Sequence, residues 1–338
     1  MNIVILSGGS GNDSLIKGLK EMYPESDIKV IINAYDSGKS TGICRKVTDT
    51  LGVSDIRKNH IRMYQALNQN PDKRIIEFYN NRYNFTKGNE IEEISKLLYN
   101  WNLNGLVKVV ERFFNNSLAR AFIYNDFNVS NIIYAQMFKD NGYEKTNKFF
   151  CDLLGLDDFV ILNSFDNVYI NAITESGNNI LDEGDIVEYK NSNDKIKSIA
   201  YIGCKNRLNP KAIESINDAD FIIISTGTFW SSIYPTLDYG CLFEYINQSA
   251  AKKVWAINNT EDKDSYGVTS NDFIDIIDTM GLNLEDFTIL ENLDSIDSLH
   301  EENSNYNIKY YSMGNDNGKH DPSKYANAIM CCYYDLDN

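Results

Sequence analysis

The chain opens with a short apolar run, a glycine-rich segment and then apolar residues at helical spacing. Residues 3–6 read IVIL, residues 7–14 read SGGSGNDS, and Leu15, Leu19 and Met22 follow at intervals of three or four. This order predicts a buried strand, a glycine-rich turn and an amphipathic helix. The N–H groups at such a helix start are unpaired and lie at the positive end of the helix dipole, which suits a phosphate. A plain connection without ligand is the alternative, and three glycines within four residues favour the anion site.

Two further polar loops follow two further apolar runs. Residues 28–33 predict a strand buried on both faces, as in a parallel sheet, and residues 34–42 form a polar turn after it. Residues 219–225 predict another such strand, which leads into a glycine- and hydroxyl-rich loop at 226–232. Because parallel strands end at one edge of a sheet, we expect the three loops to converge where open α/β sheets bind ligands. Their N–H groups and hydroxyls can then receive two or more phosphates.

The pattern becomes helical in the middle of the chain. Across residues 56–154 apolar side chains recur at helical intervals, which predicts a helical insertion between strands of the sheet. The flanking residues 1–55 and 155–338 form the predicted α/β core. Apolar runs at 168–173 and 196–202, with a Ser-Gly-Asn-Asn turn between them, predict a small antiparallel extension of that core.

Composition excludes several classes of protein. The 338 residues carry a net charge of −16, which argues against a nucleic-acid-binding protein and against an anionic membrane surface. Six cysteines without a CxxC pair and three histidines without HxxxH spacing argue against a disulfide framework and a zinc site. No signal segment and no apolar run near the ~20 residues of a membrane span are present, so the expected location is cytoplasmic.

Two nucleotide-binding motifs are matched only in part. Residues 9–14 resemble the dinucleotide fingerprint GxGxxG with Ser14 at the third glycine, and Asp36 lies where a ribose-binding acid is expected. An NAD-dependent oxidoreductase is therefore kept as the weaker alternative. Residues 38–41 read GKST, as at the end of a P-loop, but that motif requires glycine at position 33, where the chain has asparagine.

Charged residues close to the second loop suit phosphate chemistry. Arg45, Asp55 and Arg57 follow the loop at short intervals. Arginines match phosphate oxygens bidentately, and a carboxylate such as Asp36 can hold Mg²⁺ against a diphosphate. A helix-capping acid beside a surface arginine is the alternative interpretation of Asp55 and Arg57.

Six segments of the chain together resemble a known family. They are, in order, Gly8-Gly9-Ser10-Gly11, then Asp36 with Ser40-Thr41-Gly42 and Arg45, then Asp55-Ile56-Arg57, Asn131, residues 226–233 (TGTFWSSI) and His320-Asp321-Pro322. These segments are similar to the motifs GGTG, DDGGSTGxLR, GDIRN, VGN, GPGSLYTSI and HDP of the 2-phospho-L-lactate transferase (CofD-like) superfamily. That superfamily includes the YvcK-type gluconeogenesis factors.

The resemblance implies a fold and a class of ligand. The implied fold is α/β: a doubly wound, mostly parallel, Rossmann-like three-layer sandwich with an inserted helical subdomain. The implied ligand is a nucleotide diphosphate ester or a nucleotide sugar, with Mg²⁺ as the cofactor. Members of the superfamily often self-associate, so a homo-oligomer is an expectation, and neither nucleic acid nor membrane is expected as a partner.

The implied site contains phosphate-binding and catalytic residues. Phosphate or nucleotide binding is expected of Gly8, Gly9, Ser10, Gly11, Ser40, Thr41, Asp55, Asn131, Gly227, Thr228, Ser231 and Ser232. Asp36, Arg45 and Arg57 are the expected catalytic residues. Asp36 is also the expected Mg²⁺ ligand, and the arginines are expected to neutralise charge on the diphosphate.

Two functions fit this site. The first is transfer of a phospho-group-bearing moiety from the diphosphate ester to an acceptor hydroxyl, which is mainly positioning and electrostatics. The second is a non-catalytic UDP-sugar-binding regulator of carbon metabolism or cell-envelope synthesis. Tyr35 replaces the first acid of the DD pair and Lys58 the asparagine of GDIRN. The missing acid favours the regulator, whereas phosphate binding through backbone groups is expected to survive.

Overall fold

Ten strands form two sheets in the computed structural model, which describes residues 1–8, 12–203, 205–257, 264–295, 306–314 and 319–336. The strands are β1 (Asn2–Leu6), β2 (Asp27–Ile32), β3 (Val160–Leu162), β4 (Tyr169–Thr174), β5 (Asn179–Leu181), β6 (Ile196–Ile202), β7 (Phe221–Ile224), β8 (Lys252–Ala256), β9 (Phe287–Asn292) and β10 (Asn307–Tyr311). Seven of them form a parallel sheet of order β10-β9-β8-β7-β1-β2-β3, and β5-β4-β6 form an antiparallel sheet.

Fourteen α-helices surround these strands in the described residues. They are α1 (Asp13–Met22), α2 (Lys39–Thr48), α3 (Ser54–Leu67), α4 (Lys73–Asn80), α5 (Glu90–Asn100), α6 (Val107–Asn115), α7 (Val129–Asn141), α8 (Tyr143–Leu154), α9 (Glu183–Val187), α10 (Pro210–Asn217), α11 (Tyr234–Asp238), α12 (Leu242–Gln248), α13 (Ser270–Met280) and α14 (Pro322–Tyr334). A π-helix spans Phe229–Ile233, and 3₁₀ turns span Asn104–Leu106, Ala119–Ala121, Tyr239–Cys241, Leu284–Asp286 and Leu293–Ser295. Among these described helices, none combines the length and hydrophobicity needed to cross a membrane.

The parallel sheet separates two apolar clusters because successive side chains of a strand point to opposite faces. In β1, Ile3 and Ile5 join the cluster formed with α1, α14 and helices α2 to α8, whereas Val4 and Leu6 join the cluster formed with α10 to α13. Helices therefore cover both faces of the sheet. This three-layer, Rossmann-like arrangement confirms the predicted fold class.

The order of the strands reverses at β1, with β2 on one side and β7 on the other. In doubly wound sheets, such a switch point opens a crevice at the carboxyl ends of the two strands, and ligands bind there. The first and third polar loops follow these two strands. The topology therefore places the two loops side by side, and the second loop follows the neighbouring strand β2.

Most of the elements predicted from the apolar pattern are present. Helices α2 to α8 lie between β2 and β3, and the antiparallel sheet lies where the Ser-Gly-Asn-Asn turn was expected. The predicted boundaries at residues 55/56 and 154/155 fall next to the start of α3 and at the end of α8. Because α3 to α8 share one continuous apolar cluster with the sheet, the division into core and insertion stays a prediction.

Candidate functional site

A cavity of about 480 Å³ lies beside the switch point, within the size range of ligand sites. Its wall contains the start of α2, the start of α3, the third loop and the segment around α9. The predicted residues that line it are Asp36, Ser40, Thr41, Asp55, Arg57, Asn131, Thr228, Ser231 and Ser232. A second cavity of about 400 Å³ lies at the opposite edge of the sheet, around Asn2, Asp27 and Lys29. We take the first as the site because α/β sheets bind ligands at the carboxyl ends of their strands.

The first and third loops touch at Gly8. A Cβ atom on Gly8 would lie 2.5 Å from Cβ of Ser232, and one on Gly227 would lie 3.8 Å from the nitrogen of Gly8. Only a residue without a side chain allows this approach. Gly8 and Gly227 thus shape the junction of the loops without lining the cavity, and the predicted residues Gly9, Ser10 and Gly11 lie outside the described residues.

Asn33 joins the end of β2 to the third loop. Its Nδ2 atom donates to the backbone oxygen of Ser232 at 2.9 Å and to Oγ1 of Thr236 at 3.0 Å. Among the sequence-based predictions, Asn33 appeared only as the residue in place of a P-loop glycine. Its position directly after a buried strand was the available signal, since polar residues there lie at the ligand edge of a sheet.

The amino terminus of α2 opens into the cavity. Its N-cap residue is Gly38, no side chain caps the helix, and its first turn contains no acidic residue. Ser40 and Thr41 in that turn both line the cavity. Since the first N–H groups of a helix have no partner within the helix and lie at the positive dipole end, this terminus can bind an anion.

Asn131 connects this terminus to Arg57. Asn131 Nδ2 donates to Ser40 Oγ at 2.9 Å, and its Oδ1 accepts from Arg57 Nε at 2.8 Å. Arg57 also donates through Nη1 to the backbone oxygen of Tyr79. Within the described part of the chain, Nη2 of Arg57 makes no hydrogen bond. The guanidinium is therefore fixed by two contacts and has one terminal nitrogen left for a ligand.

Arg57 is a buried cation. Its side chain is only 5% exposed, and burial lowers its pKa to about 10. The guanidinium consequently remains charged at neutral pH, in a site of low dielectric where its attraction for an anion is stronger than in water.

Two carboxylates, of Asp36 and Glu183, meet before α2. Both accept from the N–H of Gly38, Asp36 through Oδ1 at 2.9 Å and Glu183 through Oε2 at 3.1 Å. Burial, and after it the charge of Asp36, raises the pKa of Glu183 well above its usual range. The proximity of the two carboxylates therefore makes it less favourable for both to be ionised at once. Glu183 belongs to α9, in the antiparallel extension, and was not among the predicted site residues.

Arg45 has a different environment from Arg57. It is fully buried and donates to the backbone oxygens of Tyr35 at 2.9 Å and Val168 at 2.6 Å, and its guanidinium lies over the ring of Tyr169. It does not line the cavity. These contacts join the second loop to the antiparallel sheet, so in this structure Arg45 holds the loop in place.

Tyr35, at the position of the missing acid, points away from the cavity. Its ring is fully buried and packs edge-on against Tyr239 at a centroid distance of 5.4 Å and against Tyr201 at 6.3 Å. The substitution therefore does more than remove a carboxylate, because it also commits this position to the apolar core. Asp36 remains the acid that the second loop presents to the cavity.

The third loop presents hydroxyls to the cavity, and its backbone donates hydrogen bonds to Asp264. Thr228 Oγ1 and Ser232 Oγ lie 2.8 Å apart, and both residues line the cavity. Asp264 Oδ1 accepts from the N–H of Phe229 at 3.1 Å, and Oδ2 accepts from the N–H of Ser231 at 2.8 Å. Two N–H groups that were predicted to be available for phosphate are thus already bonded to a carboxylate. The sequence analysis missed Asp264.

The similarity to known proteins extends over almost the whole chain. A family model described as 2-phospho-L-lactate transferase CofD matches residues 3–329. The chain belongs to the CofD family. This membership confirms the resemblance that the six motif segments indicated.

Relatives within the CofD family include proteins called gluconeogenesis factors. The gluconeogenesis factor of Bacillus subtilis (strain 168) is 26% identical over 296 residues, which cover 87% of this chain and 79% of the relative. That of Halalkalibacterium halodurans is 24% identical over 287 residues, which cover 84% and 76%. A crystal structure of a UPF0052 family member from Bacillus halodurans has a TM-score of 0.73 at 20% identity and covers 97% of this chain and 98% of that chain. The structural match supports the fold of this CofD family member.

Proposed function

We propose that this CofD family member binds a nucleotide diphosphate ester, such as a nucleotide sugar, in the cavity between the second and third loops. The observation that carries the proposal is the buried Arg57 beside the uncapped start of α2. Burial disfavours the charge of this guanidinium more than the nearby Asp36 and Asp55 favour it, so a bound anion stabilises the charged form further. The phosphates of the ester supply that anion, and the hydroxyls of Thr228 and Ser232 donate from the opposite wall.

The local charge supports an anionic ligand in an acidic protein. The chain has 48 acidic and 32 basic residues, yet the cavity is lined by four of each sign. The basic residues of the lining are Lys39, Arg57, Lys58 and Arg82. The lining therefore lacks the acidic excess of the whole chain, and burial together with the charge of Asp36 disfavours the ionised form of Glu183. The cavity is thus less repulsive to a diphosphate than the chain is on average.

We further propose that the chain binds its ligand as a regulator and does not transfer a group from it. Tyr35 contributes an aromatic ring to the core where the family pattern has an acid, which leaves Asp36 as the loop's carboxylate. The names of the relatives from Bacillus subtilis and Halalkalibacterium halodurans agree with a role in carbon metabolism. The cytoplasm is the proposed location, and self-association, which the family resemblance implies, is the proposed assembly state.

Transfer of a phospho-group-bearing moiety is the second candidate because of Asp36 and Glu183. In the described part of the chain, no three acidic, histidine or cysteine side chains are arranged to hold a metal. Mg²⁺ is nevertheless often held by one or two carboxylates together with substrate phosphates. The oxygen chemistry of Asp36 fits that arrangement, and Mg²⁺ held there would neutralise charge on the diphosphate. Asp36 would then also orient the acceptor hydroxyl.

Isothermal titration of the purified chain with GDP, UDP-N-acetylglucosamine and NAD, each with and without MgCl₂, tests the proposal. We expect GDP or UDP-N-acetylglucosamine to bind, and binding of NAD in their place would favour an oxidoreductase. Mg²⁺-dependent release of UMP from UDP-N-acetylglucosamine, with the hydroxyl of water or of an added alcohol accepting the sugar phosphate, supports the transferase. Binding without release of UMP over hours supports the regulator. If neither diphosphate binds, the proposed function is wrong.

A further inference from the structure

Asp264 is a buried carboxylate that bonds to the third loop and has no assigned role. It is 2% exposed, lies after β8 in the chain and does not line the cavity. Besides the two N–H groups of Phe229 and Ser231, it accepts from Ser231 Oγ at 2.9 Å. One side chain thus bonds to two residues of the loop, Phe229 and Ser231, which are two positions apart.

The contacts of Asp264 lie next to the two hydroxyls that line the cavity. Phe229 and Ser231 belong to the π-helix Phe229–Ile233, which starts directly after Thr228 and also contains Ser232. π-Helices are rare and occur mostly at functional sites. A carboxylate at the amino-terminal N–H groups of such a segment satisfies unpaired donors and complements the local dipole. The hydroxyls of Thr228 and Ser232 are therefore presented to the cavity by a segment whose geometry depends on Asp264.

The third loop is held from both sides. Asn33 bonds to the backbone oxygen of Ser232 from the β2 side, and Asp264 bonds to the N–H of Ser231 from the β8 side. Gly8 packs so closely against Ser232 that a Cβ atom on Gly8 would not fit between them. A shift of the loop after loss of one contact would alter the cavity wall directly, because no slack separates the loop from its neighbours.

We propose that Asp264 is a positioning residue for the ligand, which fixes the third loop so that Thr228 and Ser232 face the bound diphosphate. The inference rests on the proposed function, since it concerns how the same cavity is formed. The opposite role is that Asp264 imitates a phosphate and competes with the ligand for the loop. The two roles predict opposite changes in affinity when the carboxylate is removed.

The test is Asp264→Asn, titrated calorimetrically with GDP and UDP-N-acetylglucosamine beside the wild-type chain. The amide keeps the shape of the side chain but turns one acceptor oxygen into a donor that faces an N–H group. We expect the affinity to fall at least about tenfold, the scale of losing a hydrogen bond to a charged group. Asp72→Asn is the matched control because Asp72 also accepts from a helix-start N–H, that of Arg74 at 2.9 Å, and does not line the cavity.

Amide hydrogen exchange separates a local from a general structural effect. In Asp264→Asn without ligand, we expect faster exchange in peptides that contain Phe229 and Ser231, with exchange in the sheet unchanged. If Asp264→Asn does not fold, Asp264→Ser, whose hydroxyl can accept one of the two N–H groups, carries the same expectation.

Each outcome decides between the possibilities. Unchanged affinity in the variant, with the wild-type chain binding normally, overturns the positioning role and leaves the proposed function intact. Tighter binding by the variant overturns it in favour of competition. A wild-type chain that binds neither probe refutes the proposed function itself, which distinguishes that failure from the failure of this inference.

Discussion

Replacement of Gly8 by alanine tests whether the contact between the first and third loops shapes the cavity. The new Cβ would lie 2.5 Å from Cβ of Ser232, and carbon atoms in contact prefer about 3.5 to 4.0 Å. Rotation of the serine side chain cannot relieve the overlap because its Cβ moves only with the backbone. One loop must therefore shift by about 1 Å, and such overpacking typically costs about 1–3 kcal/mol in the free energy of unfolding.

The same shift predicts a loss of ligand affinity. A displacement of about 1 Å breaks a hydrogen bond from Ser232 to a phosphate, and a bond to a charged group contributes about 1.5–3 kcal/mol. We expect the dissociation constant for GDP or UDP-N-acetylglucosamine to rise about ten- to a hundredfold by calorimetry. Thermal unfolding gives the accompanying change in stability.

Two other glycines provide matched controls for Gly8→Ala. A Cβ on Gly18 would lie 2.7 Å from Cβ of Ala326 on α14, so Gly18→Ala should lower stability through the α1–α14 contact and leave affinity unchanged. A Cβ on Gly105 would meet nothing within 4 Å, so Gly105→Ala should change neither quantity. Equal affinity in Gly8→Ala and Gly105→Ala would refute the reasoning about the loop junction.

Two further predictions concern charge. Arg57→Met should weaken diphosphate binding by about tenfold or more, because it removes the buried cation. Arg74→Met, which removes an exposed ion pair on α4, is the control and should leave the affinity unchanged. Equal affinities of the two variants would contradict the role of Arg57. His60 is bonded to Tyr134 and Asn147, and burial lowers its pKa from 6.5 to about 4. The imidazole of His60 therefore binds a proton more readily in the unfolded chain than in the folded one. The contribution of neutral His60 to the free energy of unfolding is full above pH 6.5 and falls by about 1.4 kcal/mol per pH unit as the pH is lowered towards 4. His60→Gln should flatten that part of the unfolding profile, and an unchanged slope would contradict the assignment.

The sequence predicted the elements that are encoded locally. The apolar runs near residues 3–6, 28–33 and 219–225 correspond to β1, β2 and β7, because strands in the middle of a parallel sheet are apolar on both faces. An acid before proline is likewise a local signal for a helix start: Asp321 accepts from the N–H of Lys324 at 3.0 Å, and Pro322 is the first residue of α14. The apolar pattern did not predict β9, β10 or α13.

Side-chain partners that are distant in the sequence could not be predicted in this way. Gly38 and Glu183 are 145 positions apart, and Ser231 and Asp264 are 33 apart. No periodicity or motif relates such pairs, since the fold alone brings them together. The motif assigned Arg45 to the site but could not give the direction of its side chain, which is decided by the carbonyl groups of Tyr35 and Val168. The roles of the site residues stay predictions.

Amide hydrogen exchange on the wild-type chain, with and without saturating GDP or UDP-N-acetylglucosamine, tests the location of the site most directly. We predict slower exchange, with ligand bound, in peptides covering residues 36–42, 54–58 and 226–232, and no change in peptides covering β4 and β6. Those two strands are the control because they lie in the antiparallel sheet and do not line the cavity. Protection confined to other parts of the chain, with exchange in these three peptides unchanged, would contradict the proposed site.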